Sequence, residues 1–260
     1  MPATAPRIAL IMPAHNEAES LPTVLRRVPA CISQVLVVDN ASTDGTGTLA
    51  RAAGARVVRE DRLGYGSACL AGIAALQDNP PELVAFADAD GSDNHPQLQV
   101  LAQTLVEENL DLVLAQRVPK NRAALSLQQR FGNGLATWLI SLLWGGNYQD
   151  LGPMRLIRWS SLQSLQMRDA GYGWTIEMQI KALQQGLRVR EIPLLYLPRL
   201  AGRSKISRTL RGVVRAGSTI LWIVAREAWH DRRQIGLRLY RRSRATIRAS
   251  INAMAGALKM

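Results

Sequence analysis

The sequence has no apolar stretch long enough to cross a bilayer. Its two longest runs are Leu135–Trp144, about ten residues against the roughly 20 a span needs, and Val213–Ala225, which contains Arg215 and is closed by Arg226. Neither spans, so both are expected to be core helices or helices lying at an interface. Cysteine is scarce too: Cys31 and Cys69 have no partners at metal-ligand spacing, which excludes a thiolate metal centre and leaves two reduced thiols. No internal repeat or low-complexity tract is present. The apolar run Ile8–Pro13 is too short for a secretory h-region with its cleavage site, so a cytoplasmic protein is expected. Acidic residues are nearly missing from the last quarter of the chain. Residues 199–260 hold 2 of the 20 Asp and Glu but 15 of the 32 Lys and Arg.

What is present fits a soluble globular protein, with 47% apolar and 20% charged residues. The 260 residues suffice for one large α/β domain and an appendage. The net charge of +12 resolves into about −1 over residues 1–198 and +13 over residues 199–260. Such asymmetry points to a polyanionic partner, either anionic lipid or nucleic acid.

Short β-branched runs at Ile8–Met12, Gln34–Val38, Arg56–Arg59, Leu83–Ala87 and Leu112–Ala115 alternate with helical stretches at Glu19–Val28, Gly45–Ala53, Gly64–Leu76 and Gln97–Glu107. This alternation predicts βαβ crossovers and a parallel sheet with helices on both faces. Ligands in such sheets sit at the loops that follow the strands. The second half predicts a helix over Arg122–Leu143, a strand over Met154–Arg158, and helices near Ser160–Met167 and Thr175–Gln185. A strand over Val189–Leu197 carries Pro193, which suits an edge or a strand end, and the chain from about Ile206 onward reads as helical.

Four polar clusters follow the predicted strands. Asp88 and Asp90 end an apolar run with one residue between them, a spacing that lets both carboxylates approach one divalent cation. Asp39 closes Val37-Val38 and precedes a helix for which Ser42, Thr43 and Asp44 are all good caps. Its carboxylate would face the ligand crevice. Pro13-Ala14-His15-Asn16-Glu17 is equally a loop with internal hydrogen bonds. Gly64-Tyr65-Gly66 opens a helix whose N-terminus suits either a phosphate or close packing against the sheet.

Taken in order, these clusters resemble those of the inverting family 2 glycosyltransferases, and more narrowly the polyprenyl-phosphate mannose or glucose synthase branch. The resemblance runs from Ile8 to about Arg208. Besides the four clusters it includes Gln116-Arg117, Asp150-Leu151-Gly152-Pro153-Met154-Arg155, Glu177, Glu191-Ile192-Pro193, and Arg199-Leu200-Ala201-Gly202-Arg203-Ser204-Lys205. It implies the GT-A (Rossmann-like) fold in a catalytic domain over residues 1–205, followed by a basic amphipathic helical extension over 206–260. Pro13, His15, Glu17 and Asp39 would frame the donor nucleotide, with His15 where Tyr is common and Asn40-Ala41 where Asp-Gly is common. Asp88, Ala89 and Asp90 would hold the diphosphate, the two aspartates through Mg²⁺ or Mn²⁺, with Asp90 catalytic. Ser92 stands where Gln often follows, leaving Asp93 as the substitute third ligand. Arg117, Arg199 and Lys205 would neutralise phosphates.

The implied reaction is inverting transfer of a hexose from a UDP- or GDP-sugar to a polyprenyl phosphate, which is already ionised and needs no base. A hydroxyl acceptor does need one, and Glu177 matches the position where relatives with such acceptors carry it. Farther on, Arg232, Arg233, Arg238, Arg241, Arg242, Arg244 and Arg248 interleave with Ile235, Leu237, Leu239, Ile247 and Ile251. That pattern suits an anionic membrane surface, so peripheral association with the inner face of the cell membrane is expected. No named nucleic-acid motif occurs, and nucleic-acid binding would leave the aspartate clusters unexplained.

Overall fold

The structure is a computed structural model and describes residues 5–120, 127–201 and 210–236. The strands are β1 (Ile8–Ala14), β2 (Gln34–Asn40), β3 (Arg56–Glu60), β4 (Leu83–Phe86), β5 (Leu112–Pro119), β6 (Arg155–Arg158) and β7 (Val189–Tyr196). The helices are α1 (Leu21–Leu25), α2 (Thr46–Ala52), α3 (Tyr65–Ala74), α4 (Leu98–Glu107), α5 (Leu127–Trp144), α6 (Trp159–Leu165), α7 (Trp174–Gln184) and α8 (Leu210–His230). One sheet of order β3-β2-β1-β4-β6-β5-β7 carries the fold. Only β6 runs antiparallel to its neighbours, β4 and β5.

The central strands read as unbroken apolar runs because both faces are covered. Along β1, Ile8, Leu10 and Met12 point to one core, shared with Leu98, Leu101 and Leu105 of α4. Ala9 and Ile11 point to the other, with Ala68 and Cys69 of α3 and Trp174 and Ile176 of α7. The parallel register sets Asp39 of β2 opposite both Ala14 and Arg59, so the chain leaves β1, β2 and β3 at one edge. Pro193 does lie on an edge strand: β7 pairs with β5 alone.

Several boundaries differ from expectation: β5 runs on to Pro119 beyond Ala115, and α6 and α7 are shifted by one or two residues. α1 covers five residues, Leu21–Leu25, rather than Glu19–Val28. Pro22 fixes its first turn, and Pro29 pushes Val28 out of the helical region. α5 begins at Leu127 in the described part, and the predicted start at Arg122 lies outside it. α8 packs against α5 and α7. Ile223 of α8 lies so close to Gly173 that a Cβ there would overlap it.

Candidate active site

The loops after β1 and β2 are stitched into one cradle. Asn16, with φ of 53°, accepts the Thr43 N–H at 2.8 Å on its side-chain oxygen. The Ser42 hydroxyl accepts the Asn16 N–H at 3.0 Å, Thr46 Oγ1 accepts Glu17 N–H at 2.9 Å, and Asp44 accepts Ala18 N–H at 3.0 Å. His15 Nδ1 lies 2.7 Å from the Asn40 carbonyl and so carries the proton. The Asn40 amide donates to the carbonyls of Glu60 and Arg62 and accepts from Gly64 N–H, tying the end of β3 to the same cradle.

Asp39 is 8% exposed, at the end of β2. One oxygen accepts Ser42 N–H at 3.1 Å and the other accepts Arg59 Nη1 at 3.0 Å. A Cβ on Gly47 would stand 2.6 Å from that second oxygen, so glycine is what lets the carboxylate sit there. Arg59 was not singled out from the sequence. The parallel register that places it beside Asp39 is its signal, and that pairing is not visible in a linear reading.

The aspartates after β4 sit in a tight turn. Asp93 accepts the Asp88 N–H at 2.8 Å, and Asp90 accepts both the N–H of Ser92 at 2.7 Å and its hydroxyl at 2.5 Å. Ser92 is therefore a buttress for Asp90. The segment after β7 runs alongside, with Leu197 N–H donating to the Ser92 carbonyl at 2.8 Å and Leu200 N–H to the Asp90 carbonyl at 3.0 Å. This brings Arg199 in. One guanidinium nitrogen bonds the outer oxygen of Asp90, the other reaches Glu17 at 2.6 Å, and Nε has no acceptor. Glu17, Asp90 and Arg199 thus converge from three separate loops.

The charge in this turn is unbalanced. Desolvation pushes the Asp88 carboxyl well above the usual carboxylate range, Asp93 and Asp90 push it further, and Arg199 and Arg117 draw it back. Asp93 is pushed up to about 7, mainly by burial. Among the described residues neither has an ion-pair partner. Asp88, with Asp90 one residue on, suits Mg²⁺ or Mn²⁺, which take the rest of their ligands from water and phosphate. A closed protein cage is not formed: among the described residues no three His, Cys, Asp or Glu converge on a metal position. Asp93, the expected substitute third ligand, turns one of its oxygens to the Asp88 N–H.

Two other expected residues, Arg117 and Glu177, have different surroundings. Arg117 forks onto Asp150, with Nε and Nη2 each at 2.7 Å, and lies over the Tyr196 ring at 5.4 Å. It lends its field to Asp88 and Asp93 instead of a free hand to a phosphate. Glu177 has no exposure, and its carboxylate accepts from the backbone N–H groups of Arg168 and Asp169 and pairs with Lys181 and Arg226. An acceptor hydroxyl could not reach it as a base in this setting. Lys205 lies outside the described residues. The Gly64-Tyr65-Gly66 turn serves packing: Gly66 and Ser67 N–H donate to the Gly171 and Ala170 carbonyls at 3.0 and 2.9 Å, so neither is available to a phosphate.

A family model described as Glycosyl transferase family 2 matches residues 9–157, the span from β1 to β6 that includes the whole cradle and the aspartate turn. The chain belongs to glycosyl transferase family 2. This glycosyltransferase is 38% identical over 207 residues to an uncharacterised glycosyltransferase of Mycobacterium tuberculosis, covering 80% of this chain and 93% of that one. It is 31% identical over 238 residues to the undecaprenyl-phosphate mannosyltransferase of Micrococcus luteus, covering 83% and 96%. Among solved structures, glucosyl-3-phosphoglycerate synthase of M. tuberculosis, in complex with Mn²⁺, UDP and glucosyl-3-phosphoglycerate, superposes with a TM-score of 0.69. That match has 24% identity over 85% of this chain and 80% of the other. The transferase therefore has the GT-A fold, as its sequence leads one to expect.

Proposed function

We propose that this glycosyltransferase moves a hexose, with inversion, from a UDP- or GDP-sugar to a polyprenyl phosphate. The observation that carries this reading is the meeting of Glu17, Asp90 and Arg199 at the strand ends, beside an Asp88 without a counter-charge among the described residues. In this reading Pro13, His15, Glu17 and Asp39 frame the nucleotide, and Asp88, Ala89 and Asp90 lie along the diphosphate. Asp88 and Asp90 hold Mg²⁺ or Mn²⁺, which would stabilise charge on the departing diphosphate as a Lewis acid. Arg199, and Lys205 beyond the described residues, would take phosphate oxygens, with Arg117 contributing charge from behind. The likeness to an undecaprenyl-phosphate mannosyltransferase supports a lipid phosphate as acceptor. So does the burial of Glu177: an ionised phosphate needs no base, whereas a hydroxyl acceptor would need one within hydrogen-bond reach.

The same reading puts the enzyme peripherally on the inner face of the cell membrane, with the basic extension 206–260 as its contact. No helix of the described residues is long and apolar enough to cross a membrane. On α8, Leu221, Trp222 and Trp229 are exposed along one stripe, opposite the buried Ile223, Val224 and Glu227. Phe131, Trp138 and Leu142 form a second exposed stripe on α5, against which α8 packs. Aromatic stripes beside basic residues suit the headgroup layer of an anionic bilayer.

The test is a donor panel of UDP- and GDP-hexoses with undecaprenyl phosphate, with and without Mn²⁺ or Mg²⁺, read by nucleoside diphosphate release. Metal-dependent release that requires the lipid phosphate is expected. No release with any donor would overturn the reading.

A further inference from the structure

A second charged group lies between α7, the loop before it and α8, and the reaction outlined above does not use it. The buried Glu177 carboxylate accepts the N–H groups of Arg168 at 3.1 Å and Asp169 at 2.8 Å, and it pairs with Lys181 at 2.8 Å and Arg226 at 3.0 Å. Arg226 is the only one of these four partners that comes from α8. Its guanidinium also bonds Glu227 at 2.8 Å and lies over the exposed Trp222 ring at 4.9 Å.

The loop held by Glu177 reaches the strand-end site from two sides. On one side, the Ala170 and Gly171 carbonyls take the N–H groups of Ser67 and Gly66 at the start of α3, and the preceding Gly64 donates to Asn40, the neighbour of Asp39. A Cβ on Gly66 would overlap the Asp169 carbonyl, so the two segments cannot separate or slide without breaking this contact. On the other side, Trp174 packs against Phe86 with ring centroids 4.7 Å apart, two residues before Asp88, and edge-on against Tyr65 at 6.2 Å. Residues 168–174 therefore form a floor that runs from the nucleotide cradle to the aspartate turn, and Glu177 is its anchor.

We propose that Arg226 is a positioning residue for transfer: acting from α8 through Glu177, it sets the floor 168–174 that joins the nucleotide cradle to the aspartate turn. α8 is then part of the working unit and not an appendage to it. The proposal rests on the strand ends being the transfer site. It assigns Arg226 no contact with donor or acceptor.

The test uses the full chain with Arg226→Gln and Arg226→Lys. Lys181 still balances Glu177 in both, and either replacement side chain keeps a donor for Glu227, the other buried carboxylate on Arg226, so the variants should fold. Hydrogen exchange of the Arg168 and Asp169 amides is expected to quicken at least tenfold in Arg226→Gln and to return toward wild type in Arg226→Lys. With undecaprenyl phosphate as acceptor, the donor kcat/KM is expected to fall about tenfold in Arg226→Gln and to return toward wild type in Arg226→Lys. Unchanged amide exchange overturns the proposal, and so does a loss of transfer that Arg226→Lys does not restore. A wild type that releases no nucleoside diphosphate sinks the transfer reading instead, and the exchange measurement separates that failure from this one.

Discussion

Arg199 supplies the positive charge that Asp90 and Glu17 share. It bonds Asp90, whose side chain is 6% exposed, and Glu17, at 12%, while remaining 29% exposed itself. A divalent ion that approaches Asp88 and Asp90 must first displace it. Replacing Arg199 with Ala should therefore strengthen the binding of Mn²⁺ alone. At an effective dielectric near 20, one such pair carries about 4 kcal/mol of Coulomb energy. Desolvation and the exposure of the guanidinium reduce the net value to about 1–2 kcal/mol. At 1.4 kcal/mol per decade, Mn²⁺ affinity without nucleotide should rise about tenfold. With UDP or GDP present the sign reverses, because the released guanidinium would be the one to grip the diphosphate, and nucleotide affinity should fall about tenfold. Titration of Mn²⁺ followed by electron paramagnetic resonance, with and without nucleotide, reads both. Unchanged or weaker Mn²⁺ binding by the nucleotide-free variant would refute the reasoning.

Gly47→Ala places a Cβ 2.6 Å from the Asp39 carboxylate and should raise the donor KM about tenfold while kcat stays within threefold; an unchanged KM would count against Asp39 as a nucleotide contact. Burial lowers His95 from 6.5 to about 4 and raises the nearby Asp93 from 3.8 to about 7. As pH falls from 7 to 5 the histidine, held below its unfolded value, loses stability, whereas the carboxyl, held above its own, gains a similar amount. Asp88, held above its usual range as well, adds to the carboxyl side in both proteins, so His95→Gln should gain about 2 kcal/mol more than wild type from pH 7 to 5, as measured by urea unfolding; parallel profiles would refute this. Trp222→Ser with Trp229→Ser removes two exposed rings from α8 and should weaken partition onto anionic vesicles at least tenfold in flotation, and equal flotation would exclude that stripe as the contact.

The strands were legible because each central one is buried on both faces, so β1, β2 and β4 announce themselves as apolar runs with polar residues at their ends. Asp39, Asp88 and Asp90 were legible for the same reason: a carboxylate directly after such a run has to face the sheet edge. The partners of the charged groups were not legible. Asp39 meets Arg59, Arg117 meets Asp150, and Glu177 meets Arg226, across 20, 33 and 49 residues. Local pattern says nothing at those separations, since strand register and helix packing choose the partner. Arg117 and Glu177 look alike in sequence to residues that touch substrate. Only the fold reveals that a neighbouring side chain already holds each one.

These pairings bear on how the site can work. Asp39, Asp90 and Glu17 each face an arginine at the strand ends, and Asp150 faces another behind them. Asp88 and Asp93 are the carboxyls there with no such partner among the described residues, and both are pushed up in pKa, first by burial and then by neighbouring carboxylates, Asp90 among them. A diphosphate arriving at this turn would add negative charge to a place that already has too much of it. It can settle only if positive charge comes with it or is released to it. Arg199 can turn from Asp90 to the phosphates, but doing so exposes Asp90 beside Asp88 and deepens the imbalance. A divalent ion held by the two aspartates would resolve both problems at once. The metal and the nucleotide are therefore expected to bind as a pair, each weakly without the other, and Arg199 is the residue that makes them interdependent.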